Sequence, residues 1–188
     1  MGQLDFDWLA LDHKKYKIEG HMNPGPEALE YWTSIKKLSK FKSLMEIGFN
    51  AGHSSAFILE NFSDVRVHSY DIGWHEYTKI NADKVKERYG HRFDYIEIDS
   101  KKINHKSLDF KYDIMYIDGD HTFEGAYSDM QLFTKSTAKW AVIDDIQIKD
   151  VLKAMKHPSN KKYFREVWRG SYIANKGNMV KGALVQKW

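Results

Sequence analysis

Short apolar, β-branched or aromatic runs alternate with segments of helical periodicity along most of the chain. Strands are predicted at residues 43–48, 65–71, 93–98, 112–118 and 140–144. Helices are predicted at residues 53–62, about 75–89 and about 123–134, whereas the connection at about 100–110 has a weaker helical pattern. Because parallel neighbours need crossover connections, this alternation predicts an α/β fold in which helices cover the faces of a mostly parallel sheet.

The amino-terminal part of the chain departs from this alternation. Residues 1–23 have weak periodicity and are predicted to form an arm or a lid. Pro24 to Glu27 signal the start of a helix. No repeat or linker divides residues 24–188, which are therefore predicted to form a single domain.

The carboxyl-terminal part also differs. A last helix is predicted near residues 149–157, where Pro158 ends it. The apolar runs 164–168 and 179–186 follow with no clear helix between them. These two runs are therefore predicted to pair antiparallel at one edge of the sheet.

The composition is that of a folded globular protein with nearly balanced charge. Of the 188 residues, 42% are hydrophobic, and 29 basic residues against 26 acidic ones give a net charge of +3. The short basic groups form no clustered stripe, so no nucleic-acid partner is expected. The absence of cysteine excludes disulfides and thiolate metal sites. No apolar run approaches the roughly 20 residues that cross a bilayer and the amino terminus lacks a signal-peptide core, so a soluble, cytoplasmic protein without a membrane partner is expected.

The most informative segment runs from Ser43 to Ser55, where a predicted buried strand enters a turn with two glycines and continues into a helix. Gly48 and Gly52 permit backbone conformations closed to other residues, and a ligand at such a turn faces the positive end of the helix. The spacing from Glu46 to Gly52 lacks the three glycines of the dinucleotide fingerprint. It points away from NAD and toward S-adenosylmethionine.

Acidic residues follow the predicted strands, and in such sheets ligands bind beyond the carboxyl ends of the strands. Asp71 is predicted to accept hydrogen bonds from ribose hydroxyls, with a cap for the next helix as the alternative. Asp99 and Ser100 suit a purine edge or form an ordinary loop, and Trp74 either stacks on adenine or serves packing. Burying the carboxylate of Glu46 is costly, so backbone amides of the glycine turn or the amino group of a ligand are expected to compensate it.

A second group of acids follows the fourth and fifth predicted strands. Adjacent strands should bring Asp118, Asp144 and Asp145 together, where their charges repel one another. A divalent cation resolves this repulsion, and an all-oxygen ligand set favours Mg²⁺, or Mn²⁺ or Ca²⁺, over zinc. The alternative is that the acids diverge, with one capping the helix at 123 and another facing solvent.

His121 follows Asp118 in a loop at the same edge. Histidine has an unperturbed pKa of about 6.5, which suits a general base near neutral pH. A histidine without a role in the reaction, exposed or buried in the core, is the alternative.

These residues resemble the class I S-adenosylmethionine-dependent methyltransferases, and within them the metal-dependent small-molecule O-methyltransferases of the catechol, caffeoyl-CoA, macrocin and aminocoumarin types. The resemblance covers residues 43–145 and is most specific at 46–54 and 118–145. It implies a Rossmann-like, seven-stranded, mostly parallel sheet with helices on both faces and an antiparallel edge strand. It also implies that the cofactor is bound by Glu46, Gly48, Asn50, Gly52, Ser54, Asp71, Asp99 and Ser100, and a metal by Asp118, Asp144 and Asp145.

Two positions depart from the catechol type. That type has a lysine base three residues after its first metal aspartate, whereas this chain has His121, as in the sugar-directed branch. Asp145 stands where the catechol type often has asparagine. The expected acceptor is therefore a small hydroxylated molecule, a sugar or a phenol, and not a catechol specifically.

The expected reaction is in-line methyl transfer to a hydroxyl oxygen, with His121 and Asp118 at the reacting centre and a metal lowering the pKa of that oxygen. Three alternatives stay open: a module that binds the cofactor without turnover, an NAD-dependent oxidoreductase on a similar sheet, and a nucleic-acid methyltransferase. A homo-oligomer also stays open, because Phe6, Trp8 and Leu9 could serve a partner subunit as well as a lid.

Overall fold

In a computed structural model, which describes residues 7–9, 16, 18, 22–107, 110–174 and 177–188, the chain forms a seven-stranded sheet with helices on both faces. The strands are β1 Ser43–Ile47, β2 Arg66–Asp71, β3 Phe93–Glu97, β4 Ile114–Ile117, β5 Trp140–Ile143, β6 Phe164–Ile173 and β7 Met179–Lys187. The α-helices are α1 Pro26–Ser39, α2 His53–Asn61, α3 Glu76–Tyr89, α4 Phe123–Lys135, α5 Lys149–Met155 and α6 Pro158–Lys161. The Rossmann-like fold predicted from the sequence is confirmed.

The strand order is β3-β2-β1-β4-β5-β7-β6. Strands β1 to β5 are parallel to their neighbours, whereas β7 is antiparallel to both β5 and β6. The predicted antiparallel pairing at one edge is therefore confirmed, with β6 as the edge strand and β7 inserted between it and β5. The connection at 100–107 contains two short 3-10 turns, in agreement with its weak helical pattern.

One detail near the carboxyl terminus differs from the sequence prediction. Helix α5 ends at Met155, and Pro158 begins the short helix α6 instead of only stopping the helix before it. Proline is tolerated at the first helical position because the N–H that it lacks has no partner within the helix.

Alternate side chains of the central strands face opposite sides of the sheet, as the two-residue period of a strand requires. On one side, Leu44 and Tyr116 pack with helices α1, α2 and α3. On the other side, Met45 and Ile117 pack with α4 and α5. Both faces of the sheet are therefore buried, which leaves the ends of the parallel strands as the accessible edges.

Few residues of the predicted arm are described. Leu9 is buried in the core, Tyr16 packs on Tyr77, and Met22 forms an isolated bridge with Ala174. Trp8 packs edge-on against Tyr89, while Phe6 and most other residues of the arm lie outside the described residues, so its role as a lid stays a prediction. Among the helices of the described segments, none is long and apolar enough to cross a membrane.

Candidate functional site at the carboxyl edge of the sheet

The glycine turn between β1 and α2 lies directly against the turn that follows β4. Gly48 has a φ of 95°, and a Cβ built there would be 2.0 Å from the carbonyl oxygen of Asp118. Gly52 has a φ of 84°, and its Cβ would be 2.4 Å from the ring of Phe49. Both glycines are therefore required by a positive φ and by close approach, which keeps the main chain of the turn accessible to a ligand.

Asp71, at the end of β2, holds the glycine turn through backbone hydrogen bonds. Its Oδ2 accepts from the N–H groups of Phe49 at 2.8 Å and Asn50 at 2.9 Å, and its Oδ1 accepts from Gly73 at 2.8 Å. The N-cap of α3 is His75 and not Asp71, so the helix-cap alternative for Asp71 is wrong. Ribose binding by this carboxylate stays a prediction.

Glu46 is completely buried, and three serine hydroxyls surround its carboxylate. Ser54 and Ser55, in the first turn of α2, and Ser69, on β2, all donate hydrogen bonds to it. Burial raises the pKa of Glu46 from 4.5 to about 7, although the three hydrogen bonds act in the opposite direction. The expectation of backbone amides at Glu46 is therefore wrong, because hydroxyl groups compensate the carboxylate instead.

Sequence reasoning did not assign Ser55 and Ser69 to the site. Ser69 is the register partner of Glu46 on β2. A serine at a strand position whose neighbours are buried, opposite a buried acid, is the signal that could have identified it.

The acids after β4 and β5 converge with a histidine. Among the described residues, the side chains whose ligand atoms all lie within 4.8 Å of one another are those of Asp118, His121 and Asp145. Nε2 of His121 is 3.0 Å from Oδ2 of Asp145 and 3.5 Å from Oδ1 of Asp118. Hydrogen bonds to Asp118 and then Asp145 raise the pKa of His121 to about 10, so the imidazolium is the counter-charge of this cluster.

Asp144 is close to this cluster but has partners of its own. It is 3% exposed, and its Oδ2 accepts hydrogen bonds from the hydroxyls of Tyr116 and Tyr172, both at 2.6 Å. Its Oδ1 is buried and has no hydrogen-bond partner among the described residues. Burial first, and the charges of Asp118 and Asp145 next, raise the pKa of Asp144 well above its ordinary value. Among the described residues, the structure thus brings Asp118 and Asp145 together with His121, whereas Asp144 lies beside that group, and metal binding by the three acids stays a prediction.

The residues predicted at the adenine side lie after β2 and β3. Asp99 accepts a hydrogen bond from the N–H of Lys101 at 3.0 Å and caps a 3-10 turn, as in the alternative of an ordinary loop. Trp74 is 80% exposed, so the packing alternative for it is wrong, and stacking on a ligand stays a prediction. Sequence reasoning missed Asp129 on α4, a buried carboxyl group that interacts with the Ser100 hydroxyl. Burial raises the pKa of Asp129 to about 6.

One cleft connects the glycine turn with the acidic cluster. It is lined by Met22, Asn50, Ala51, His53, Ser54, Tyr116, Asp118 and Tyr172. Asn50, which was predicted to bind the cofactor, also accepts a hydrogen bond from the hydroxyl of Tyr77 at 2.8 Å. Of the predicted site residues, Asn50 and Ser54 of the cofactor set and Asp118 of the reacting centre therefore line the same cleft.

Comparisons with known proteins were made on both sequence and structure. The family model of a methyltransferase domain matches residues 45–146. No curated protein sequence matches the chain.

Solved structures of methyltransferases share the fold. An O-methyltransferase from Bacillus cereus in complex with SAH has a TM-score of 0.66 and 14% identity, over 87% of this chain and 82% of that one. A protein from Pyrococcus horikoshii that is proposed to be an RNA methyltransferase has a TM-score of 0.68 and 10% identity, over 92% and 89%. TrmN from Thermus thermophilus has a TM-score of 0.62 and 11% identity over 83% of this chain, which spans only 48% of the length of TrmN. Identities this low establish similarity of fold alone.

Proposed function

We propose, since this chain belongs to a family of S-adenosylmethionine-dependent methyltransferases, that it methylates a hydroxyl oxygen of a small molecule, a sugar or a phenol, with the help of Mg²⁺. The observation that carries the proposal is a cleft that is lined both by Asn50 and Ser54, at the glycine turn, and by Asp118, whose carboxylate lies within 4.8 Å of ligand atoms of His121 and Asp145.

The glycine turn fits the cofactor. Gly48 leaves no room for a Cβ because the backbone of Asp118 packs against it, and the turn that it forms leads into the amino end of α2, where a bound molecule would meet unpaired N–H groups. We assign cofactor binding to Glu46, Gly48, Asn50, Gly52, Ser54, Asp71, Trp74, Asp99 and Ser100. Glu46 itself is enclosed by the hydroxyl groups of serines. Of these serines, Ser54 lines the cleft.

The acidic cluster fits a divalent cation. Carboxylate oxygens are the ligands that Mg²⁺ prefers, and Asp144 keeps a buried oxygen without a partner among the described residues. We assign the cation to Asp118, Asp144 and Asp145. When bound there, it would lower the pKa of the acceptor oxygen and would take over the counter-charge that His121 supplies in the structure.

In the proposed reaction, the acceptor oxygen forms a bond to the methyl carbon while the carbon–sulfur bond breaks and its electron pair stays on sulfur. The proton of the acceptor hydroxyl would pass to Nε2 of His121, which can accept it only after the imidazolium of the structure has given up its own proton. The walls of the cleft, with Tyr172 on one side and Met22 on another, hold the acceptor in line with the breaking bond.

The test uses the purified chain, S-adenosylmethionine labelled in its methyl group, and a nuclease-treated metabolite extract. We expect label in small molecules, with a rate that falls by roughly 100-fold in EDTA or in Asp118→Asn. Asp113→Asn, at the opposite edge of the sheet, is the matched control and should retain activity.

Three outcomes would contradict the proposal. Failure to bind S-adenosylhomocysteine in calorimetry removes the cofactor assignment. Equal rates in EDTA and in Mg²⁺ would show that the reaction needs no divalent cation. Label in RNA instead of metabolites would show that the acceptor is a nucleic acid and not a small molecule.

A further inference from the structure

Tyr116 connects two of the acids at the site. It lies on β4 and is 1% exposed, and its hydroxyl is 2.6 Å from Oδ2 of Asp144 and 3.1 Å from Oδ2 of Asp118. A phenol has one proton to donate, so Asp144, at the shorter distance, is its main acceptor, and Asp118 lies within hydrogen-bond distance of the same hydroxyl. The distance between Asp118 and Asp144 is thereby linked to the position of one tyrosine side chain.

Tyr172 holds Asp144 from another strand. It lies on β6, is 4% exposed, and donates to the same Oδ2 of Asp144 at 2.6 Å. On β7, which lies between β5 and β6, a Cβ at Gly182 would be 1.9 Å from the hydroxyl oxygen of Tyr31 and 3.1 Å from Oδ1 of Asp144. Glycine at this position therefore allows the tyrosines and Asp144 to pack together.

Phenylalanine could fill the same space as either tyrosine. The ring of Tyr116 packs edge-on against Trp32, with centroids 5.1 Å apart, and the ring of Tyr172 lies 5.1 Å from Tyr31. These contacts do not need the hydroxyl groups. What the two hydroxyls add is a pair of donors to a buried carboxylate, and such a carboxylate is costly to bury without donors.

We infer that Tyr116 and Tyr172 are positioning residues that hold Asp144 and Asp118 in the arrangement that binds a divalent cation. This inference rests on the proposed function, because it concerns the cation assigned there. Without the two donors, the Asp144 carboxylate turns away from the cluster, and the cation loses a ligand or its charge. Groups that orient metal ligands in this way typically change metal affinity by about 10- to 100-fold when they are removed.

The core offers a matched control. Tyr112 is also buried, and its hydroxyl is 3.0 Å from the Tyr70 hydroxyl and 3.0 Å from Nδ1 of His68, away from the acidic cluster. Tyr112→Phe therefore removes a buried phenol hydroxyl of the same kind without touching Asp118 or Asp144.

The experiment measures the affinity of Mn²⁺ by electron paramagnetic resonance, and that of Mg²⁺ by calorimetry, for the full chain with S-adenosylhomocysteine present. We expect Tyr116→Phe and Tyr172→Phe to weaken cation binding by roughly 10-fold or more, with the larger loss for Tyr116→Phe because it contacts two acids. The affinity of S-adenosylhomocysteine should stay within about twofold, and Tyr112→Phe should bind the cation like the unchanged protein.

Urea unfolding checks that each variant folds. If Tyr116→Phe does not fold, the cation affinity of Tyr172→Phe alone tests the inference. Cation affinity retained in both folded variants, or lost equally in Tyr112→Phe, overturns the positioning role and leaves the proposed function intact. An unchanged protein that binds neither cation overturns the metal assignment of the proposed function itself.

Discussion

Glu46 is a carboxyl group that the fold removes completely from water and surrounds with hydroxyl donors. Ser54, Ser55 and Ser69 donate to it, and burial still raises its pKa from 4.5 to about 7. Because the pKa in the folded protein lies above its ordinary value, the folded chain binds a proton at Glu46 more tightly than the unfolded chain does.

The stability of the apo protein should therefore depend on pH through this residue. The contribution of Glu46 to the free energy of unfolding is fully present below pH 4.5, falls as the pH rises to about 7, and is constant above that. At ~1.4 kcal/mol for each pKa unit, the loss is of order 3 kcal/mol. Glu46→Gln should remove this part of the slope and leave the part due to other buried acids such as Asp129, as measured by urea unfolding between about pH 5 and about pH 8.

Glu30→Gln, which changes an exposed glutamate of α1, is the control and should keep the slope of the unchanged protein. Parallel stability curves for the unchanged protein and Glu46→Gln would show that Glu46 does not titrate in this range.

At the residue scale, the sequence predicted that the carboxylate of Glu46 is buried, but it did not predict which groups donate hydrogen bonds to that carboxylate. A lone acid at the end of an apolar strand indicated a buried carboxylate that needs compensation. Its partners come from the first turn of α2 and, by strand register, from β2. Donors that lie eight to 23 residues away along the chain could not be chosen without knowing that register.

At the scale of elements, two carboxylates hold backbone N–H groups at opposite ends of the sheet. At the carboxyl edge, Asp71 accepts from Phe49 and Asn50 in the glycine turn. At the amino edge, Asp113 accepts from Lys42 at 2.8 Å and Ser43 at 2.9 Å. The two groups make the same kind of contact, and they differ in whether a cleft lies beside them.

This pair separates cofactor binding from stability. Asp71→Asn and Asp113→Asn each place an amide next to N–H donors, so each should lower the free energy of unfolding by about 1–3 kcal/mol. Only Asp71→Asn should also weaken the binding of S-adenosylhomocysteine, by roughly 10-fold or more, because the substitution loosens the glycine turn that is proposed to bind this ligand. Calorimetry and urea unfolding measure the two effects, and equal affinities in the two variants would refute a role for Asp71 in binding.

The elements themselves were largely predictable, because each strand carries a short apolar run and each long helix a clear periodicity. Their order in the sheet was less so. The lack of a helix between the last two strands predicted their antiparallel pairing. It did not predict that β7 lies between β5 and β6. β6 carries Arg165, Glu166 and Arg169 and is largely exposed, whereas β7 contains a buried run that includes Leu184 and Val185, so this difference in polarity is the signal that could have identified β6 as the edge strand.

At the scale of the whole molecule, the cleft is built by strands from both halves of the sheet, and a ligand there holds the halves together. S-adenosylhomocysteine at roughly 100 times its Kd should add about 2.7 kcal/mol to the free energy of unfolding. For a chain of this size that raises the Tm by roughly 5–10 °C. A thermal shift assay tests this, with NAD at the same concentration as the control, and an equal shift with NAD would contradict the assignment.

The location of the site was predictable because parallel strands deliver the residues that follow them to one edge. That rule predicts that Asp71, Asp118 and Asp145 lie at the same edge of the sheet, where the structure has them. The rule does not predict that Tyr116 and Tyr172 enclose Asp144. Tyr172 lies on β6, and its distance from Asp144 depends on the insertion of β7 between β5 and β6.

The contact between Gly48 and Asp118 makes the two sides of the cleft a single mechanical unit. A Cβ at Gly48 would overlap the main-chain oxygen of Asp118, so the two turns touch with no spare volume between them. Neither turn can be displaced toward the other, and a molecule that pushes on the first presses on the backbone that carries the second. The spacing between the two turns is in this way set by direct contact between their main chains.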